Sequence, residues 1–159
     1  MNEVLKINKN NTTFKVYNFK GDIFWNKYQN NEWENDFFLY FDKIKDKKIK
    51  TFIDVGASDG PVTFYCASKV LQIISIEPSE IIFNHLKKNL LLNNFNNINI
   101  LQAAIGTENK KTKFINGEEF SDIMFVTEKG GYYINMFKLS EIIKKYKIKK
   151  FILKIDIEG

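Results

Sequence analysis

Asp54 lies inside a short apolar stretch, Thr51–Val55, and is followed at once by the turn Gly56-Ala57-Ser58-Asp59-Gly60 and then Pro61. The stretch predicts a buried strand, a tight glycine turn and the first turn of a helix. Pro61 suits a first helical position, where a missing N–H costs nothing. A strand running into such a turn is a common seat for a nucleotide-like ligand. The charges here narrow the chemistry. Carboxylates at Asp54 and Asp59 would repel phosphate groups. The expected ligand is therefore nucleoside-like, free of phosphate, and able to present a positive charge.

Three further acids fall where other predicted strands end. Glu77 follows Asp54 by 23 positions, close to the spacing at which an acid accepts the ribose hydroxyls of a bound nucleotide. Asp156 and Glu158 close the segment 151–159, in which Phe151, Leu153, Ile155 and Ile157 alternate with Lys154, Asp156 and Glu158. Three charges on one face of a core strand are costly unless they pair or serve a site. Either carboxylate could take a proton from a hydroxyl nucleophile. A simple Lys154–Asp156 ion pair is the competing reading. Gln102 and Ala103 sit at the end of segment 97–105, where small residues let an adenine ring approach and Gln102 could read its edge. Tight helix-on-sheet packing explains the same residues equally well. Glu34 lies near the start of a predicted helix, where the dipole favours an acid, and could equally reach a ligand. No ligand set for a metal is identifiable, and His85, the only histidine, falls on a helix away from strand ends.

The elements that must position these groups follow from periodicity. Residues 1–12 are polar and are expected to be loose. Phe14 to Phe19 alternates with period two and predicts a strand, and Gly21-Asp22 a turn. Trp33, Phe37, Phe41 and Ile44 fall on one helical face, with Asn31 as a candidate cap. Strands are expected at 51–55, 71–76, 97–105 and 151–159, and helices at 62–69, 79–92 and 140–147. Between 107 and 138 the strand–helix rhythm breaks. Lys113 to Ile115, the pair Asn116-Gly117, and Ile123 to Val126 suggest a hairpin, with a further strand near 132–137. Strand–helix units imply a parallel sheet with right-handed crossovers. The expected division is 1–50, a strand and an aromatic helix, and 51–159, the ligand-binding domain.

Composition bounds the rest. The chain has 159 residues, 44% hydrophobic, a net charge of +5 and one cysteine, Cys66. This is enough for a packed core, and one thiol forms no internal disulfide. All 24 basic residues are lysine. Arginine is the preferred reader of phosphates and base edges, so a nucleic-acid partner is not expected. The lysine-rich connector 43–50 reads as a solvated linker. No apolar run reaches the length of a membrane span, and the N-terminus lacks a signal peptide's apolar core, so a cytoplasmic protein is expected.

Taken in order, Asp54-Val55-Gly56-Ala57-Ser58-Asp59-Gly60, Ser75-Ile76-Glu77-Pro78-Ser79, Leu86-Lys87-Lys88-Asn89 with Asn93-Asn94, Gln102-Ala103-Ala104-Ile105-Gly106 and Lys154-Ile155-Asp156-Ile157-Glu158-Gly159 resemble the FkbM-type methyltransferases. The resemblance implies a Rossmann-like class I α/β fold with sheet order 3-2-1-4 and a β-hairpin insertion. It implies S-adenosylmethionine as cofactor, which carries an adenosine, a sulfonium and an amine but no phosphate. Gly56, Ala57, Ser58 and Gly60 would form the methionine-side loop and Asp54 the acid facing the amine. Glu77 with Pro78 would hold the ribose, Gln102 and Ala103 would lie at the adenine, and Glu34 resembles an acid the family carries before its first strand. Asp156 and Glu158 would meet the acceptor, expected to be a small-molecule or glycan hydroxyl. Ser58 and Asp59 depart from the family's usual Gly-Ala-Asn-x-Gly loop, and the chain stops where the family continues, so an incomplete enzyme is expected. The rival readings are a non-catalytic cofactor-binding fragment and a dinucleotide-binding domain. The latter lacks the third glycine of Gly-x-Gly-x-x-Gly.

Overall fold

The computed structural model describes residues 3–44, 50–115, 125–127 and 131–157. Its centre is a four-stranded parallel sheet built from β3 (Thr51–Val55), β4 (Gln72–Ile76), β5 (Ile98–Leu101) and β10 (Phe151–Ile155), in the order β10-β3-β4-β5. Counted as core strands one to four, this is the order 3-2-1-4. All five residues of β3 are buried, which is why the strand reads as a continuous apolar run around Asp54. Helix α3 (Pro61–Ala67) leaves β3 through the glycine turn, with Gly60 as its left-handed cap and Pro61 at its start. Helix α4 (Glu80–Leu91) follows β4, and Ser79 Oγ caps it by accepting the N–H of Ile82.

The N-terminal region departs from expectation. Residues expected to be loose form β1 (Val4–Lys9), which pairs antiparallel with β2 (Thr12–Tyr17). Leu5, Ile7 and Lys9 take the inner face, and Ile7 and Lys9 are buried. A lysine on the core face hides the alternation. Lys9 Nζ donates to the Tyr28 carbonyl at 2.7 Å and to Asn31 Oδ1 at 2.9 Å, so its charge is satisfied inside the fold. Asn31 is thus a partner of Lys9 and not a helix cap. Gly21-Asp22 is not an isolated turn. It opens helix α1 (Asp22–Gln29), which buries Trp25 and Tyr28. The next helix, α2 (Asn35–Ile44), begins after Trp33 and buries Phe38 and Phe41.

This N-terminal layer packs on the parallel sheet's helices. Phe14, Trp25, Tyr28 and Phe38 share one apolar cluster with Phe52, Phe64, Tyr65 and Leu86. Polar ties fix its position. Tyr28 Oη donates to the Pro61 carbonyl at 2.8 Å, Asn89 Oδ1 accepts the Tyr17 N–H at 2.7 Å, and Asn93 bonds both backbone groups of Lys15.

The expected strand 97–105 is two strands separated at Gln102. β6 (Ala103–Ile105) leaves the parallel sheet and joins a second one, ordered β6-β9-β7-β8, with β7 (Lys110–Ile115), β8 (Phe125–Thr127) and β9 (Tyr132–Phe137). β7 and β8 pair antiparallel, with Phe114 opposite Val126. The turn expected at Asn116-Gly117 lies outside the described residues. Helix α5 (Leu139–Lys145) then leads to β10 and packs Ile142 against Ile53, Val55, Ile74 and Ile76. Among the described residues no helix is long and apolar enough to cross a membrane.

Candidate functional site

A cavity of about 330 Å³ opens at the carboxyl ends of β3 and β10. That is the edge at which parallel α/β sheets hold ligands, and the volume lies at the lower end of the range for small-molecule sites. Asp54, Gly56, Ala57 and Ser58 come from β3 and its turn, Pro61 and Val62 from α3, and Lys154 and Asp156 from the end of β10. The remaining lining residues are N-terminal: Lys20, Phe24 and Trp33.

Asp54 is the electrostatic centre of this cavity. Lys154, Asp54 and Ser75 are register partners across three adjacent strands. Asp54 has no exposed surface. Thr63 Oγ1 donates to its Oδ2 at 2.6 Å and lies 2.7 Å from Ser75 Oγ, whereas Oδ1 has no hydrogen-bond partner. Burial pushes its carboxyl up to about 6, against the pull of Thr63 and Lys154 toward the charged form. A buried acid with one unpartnered oxygen on a cavity wall suits a cationic group.

The glycine turn itself offers little to an anion. The N–H groups of Gly56 and Ala57 both donate to the Ile76 carbonyl, at 2.9 and 3.0 Å, and that of Gly60 donates to the Ala57 carbonyl at 3.1 Å. The Ser58 N–H donates to Glu77 Oε2 at 3.0 Å. A phosphate cradle needs such groups free, so the turn matches the phosphate-free ligand inferred from its acids. Gly56 has φ +79°, and a Cβ there would collide with the carbonyl oxygen of Asp156. This contact brings the ends of β3 and β10 together. Gly60, at φ +104°, is held against Phe64 and Leu86 and does not line the cavity.

Glu77 is placed behind the turn, outside the cavity lining. It is 3% exposed, and its two oxygens accept the N–H groups of Ser58 and Ser79, the latter at 2.9 Å. Burial raises its carboxyl to about 7, and the two backbone donors oppose the shift. Pro78, half-buried, gives its carbonyl to Tyr132 Oη at 3.3 Å. Gln102 stands at the junction between the two sheets, and Ala103 is buried among Ile53, Val55 and Ile76. The structure therefore gathers Asp54, Gly56, Ala57, Ser58 and Asp156 around one space, while Gly60, Glu77, Pro78, Gln102 and Ala103 stand outside that lining.

At the mouth, Lys154 Nζ donates to Asp156 Oδ2 at 2.7 Å and lies 3.8 Å from Glu34 Oε2. Glu34 adopts φ +43°, an unusual conformation for a residue with a side chain. Its carboxyl is raised, first by burial and then by the neighbouring Asp156, while Lys154 draws it down. Two carboxylates thus share one lysine beside the cavity. Glu158 lies outside the described residues.

Lys20, Phe24 and Val62 carry no signal of chemistry in the sequence. Reading Gly21-Asp22 as a turn concealed the helix that presents Phe24, and Trp33 reads as one more member of an aromatic stripe. Lys20 Nζ stands 3.5 Å from Asp59 Oδ1 and over the Phe24 ring. Asp59 is 2% exposed, its carboxyl raised by burial, with Lys20 opposing.

The model of the FkbM methyltransferase domain matches residues 54–159. The chain belongs to that family, whose members use S-adenosylmethionine. Its residues fit that cofactor at one end: the cavity is lined by Asp54, a buried acid with one unpartnered oxygen that suits a cation, and four amides of the turn are already bonded within the protein. Among solved structures, the chain is similar to TYW2 of M. jannaschii in complex with AdoMet, with 16% identity and a TM-score of 0.42, covering 64% of this chain and 43% of that one. It is also similar to aTrm5 in complex with tRNALeu, with 19% identity and a TM-score of 0.38, covering 62% of this chain and 27% of that one. The chain therefore spans less than half the length of either. No curated protein matches it.

Proposed function

We propose that this chain holds S-adenosylmethionine in the cavity at the ends of β3 and β10 and serves methyl transfer to a hydroxyl of a small molecule or glycan. The observation that carries the reading is Asp54, a fully buried acid among the residues that line that cavity, whose Oδ1 has no hydrogen-bond partner. Asp54 binds the amine end of the cofactor and pays for its own burial by doing so. The cofactor supplies an electrophilic methyl group. The chain's part is then positioning and proton handling. Asp156 accepts the proton of the acceptor hydroxyl, and Lys154 holds that carboxylate in place from 2.7 Å. Trp33 and Phe24 cover the cavity from the N-terminal side and limit water. The absence of arginine favours a small-molecule or glycan acceptor over a nucleic acid.

Calorimetry with S-adenosylhomocysteine on the 159-residue chain tests the cofactor site. Saturable one-to-one binding is expected, and its absence would refute the reading. Transfer of label from methyl-labelled cofactor to a panel of hydroxyl compounds, with transfer RNA as a rival acceptor, tests the acceptor class. Label appearing only on RNA would overturn that part.

A further inference from the structure

An amino-acid ligand carries a carboxylate as well as an amine, and the expected anion-binding part of this fold is spent. Four N–H groups of the glycine turn are bonded within the protein, to Ile76, Glu77 and Ala57. Among the described residues, two cations line the cavity, Lys20 and Lys154. Lys154 is held at 2.7 Å by Asp156 with Glu34 close by. Lys20 is different. Its Nζ is 3.5 Å from Asp59 Oδ1, beyond the usual length of a charge-assisted bond. The Lys20 side chain is 29% exposed, and its ammonium rests over the Phe24 ring and beside Asp59 at a longer distance than Lys154 keeps from Asp156.

We infer that Lys20 recognises the carboxylate of the ligand's amino-acid end while Asp54, in the same cavity lining, meets its amine, so that the two residues clamp a zwitterion. This deepens the proposed S-adenosylmethionine reading and rests on it. Lys20 lies upstream of the family match at 54–159, so the N-terminal layer would complete the cofactor site. Residues 20–33 thus act as one wall of the binding site: Phe24 and Trp33 supply apolar cover, and Lys20 supplies the charge that selects a carboxylate. The loose pairing with Asp59 keeps the ammonium near the cavity until a ligand arrives.

The test compares two probes by calorimetry at pH 7.5: S-adenosylmethionine, and its decarboxylated form, which keeps the sulfonium and the amine. The wild-type chain is expected to bind the first roughly 10- to 100-fold more tightly, the size of one charge-assisted bond. Lys20→Met should remove most of that preference while leaving the decarboxylated probe's affinity within about twofold, and Lys20→Arg should restore part of it. Equal wild-type affinity for the two probes overturns the proposal, as does an equal loss for both in Lys20→Met. Should Lys20→Met fail to fold because Asp59 is left buried alone, Lys20→Met in an Asp59→Asn background asks the same question against Asp59→Asn itself. Wild-type chain that binds neither probe overturns the underlying cofactor reading. Binding of both without discrimination overturns only the clamp.

Discussion

Asp54 and Glu77 are both buried acids at the ends of neighbouring strands, and both are raised, to about 6 and about 7. They differ in what their oxygens meet. Glu77 spends both on backbone N–H groups, one from each of the turns that follow β3 and β4. Asp54 lines the cavity, gives one oxygen to Thr63 and leaves the other with no partner. Similar burial thus accompanies two roles. Glu77 fastens the glycine turn to the start of α4. Asp54, in the proposed reading, keeps a charge in reserve for the amine of the cofactor.

Removing Glu77 gives the largest expected change in stability. Glu77→Ala strands the N–H groups of Ser58 and Ser79, and a buried unsatisfied donor costs about 1–3 kcal/mol, so a loss of about 3 kcal/mol is expected in urea denaturation at pH 7. Glu77→Gln keeps one acceptor oxygen and should lose about half as much. An unchanged stability with a large loss of affinity for S-adenosylhomocysteine would reverse the assignment and make Glu77 a ligand acid.

The same contrast explains what could be read from the residues. The turn, Asp54 and the parallel strands were legible because glycine, proline and unbroken apolar runs signal them locally. Orientation was not. Glu77 stands at the spacing of a ribose acid, yet spacing cannot reveal that two backbone donors already hold its oxygens. Lys9 disguised β1, since a charged residue on an inner face breaks the pattern by which half-buried strands are recognised. Gln102 hid the step between the two sheets for the opposite reason: apolar residues flank it on both sides, so the chain reads as one strand. The wall formed by Lys20 and Phe24 depends on a layer brought in from far upstream, which no local motif encodes.

The ionisation of the two acids separates them next. Each folded carboxyl lies above its ordinary value, so each acid binds its proton more tightly in the folded chain than in the unfolded one. Stability is therefore greatest at or below the ordinary carboxylate range and falls as pH rises from about 4 to 7, by about 3 kcal/mol for each acid. Ligand affinity should run the other way. A cation requires ionised Asp54, so affinity for S-adenosylhomocysteine should rise up to tenfold per pH unit below about 6 and level above it. Asp54→Asn should flatten that profile and lower affinity roughly 10- to 100-fold at pH 7, while stability at pH 7 stays level or improves because a buried charge is gone. A profile that levels near 7 instead would implicate Glu77.

The smallest effect should come from the partner that makes Asp54 asymmetric. With Asp54 ionised, the one Thr63 hydroxyl proton goes to Oδ2, so Ser75 must donate to Thr63 in turn, forming a short relay that ends on the carboxylate. Thr63→Val has nearly the same volume and removes the donor. It should cost about 2 kcal/mol of stability, since both the Thr63–Asp54 and the Ser75–Thr63 hydrogen bonds are lost. Thr63 draws the Asp54 carboxyl down, so its removal should move the midpoint of the affinity profile above 6 and leave the plateau within about threefold once Asp54 is ionised. A lowered plateau with an unmoved midpoint would mean that Thr63 shapes the cavity and does not tune the acid. A shifted midpoint at nearly full affinity would show that Oδ1, the oxygen Thr63 never touches, is the one that meets the ligand.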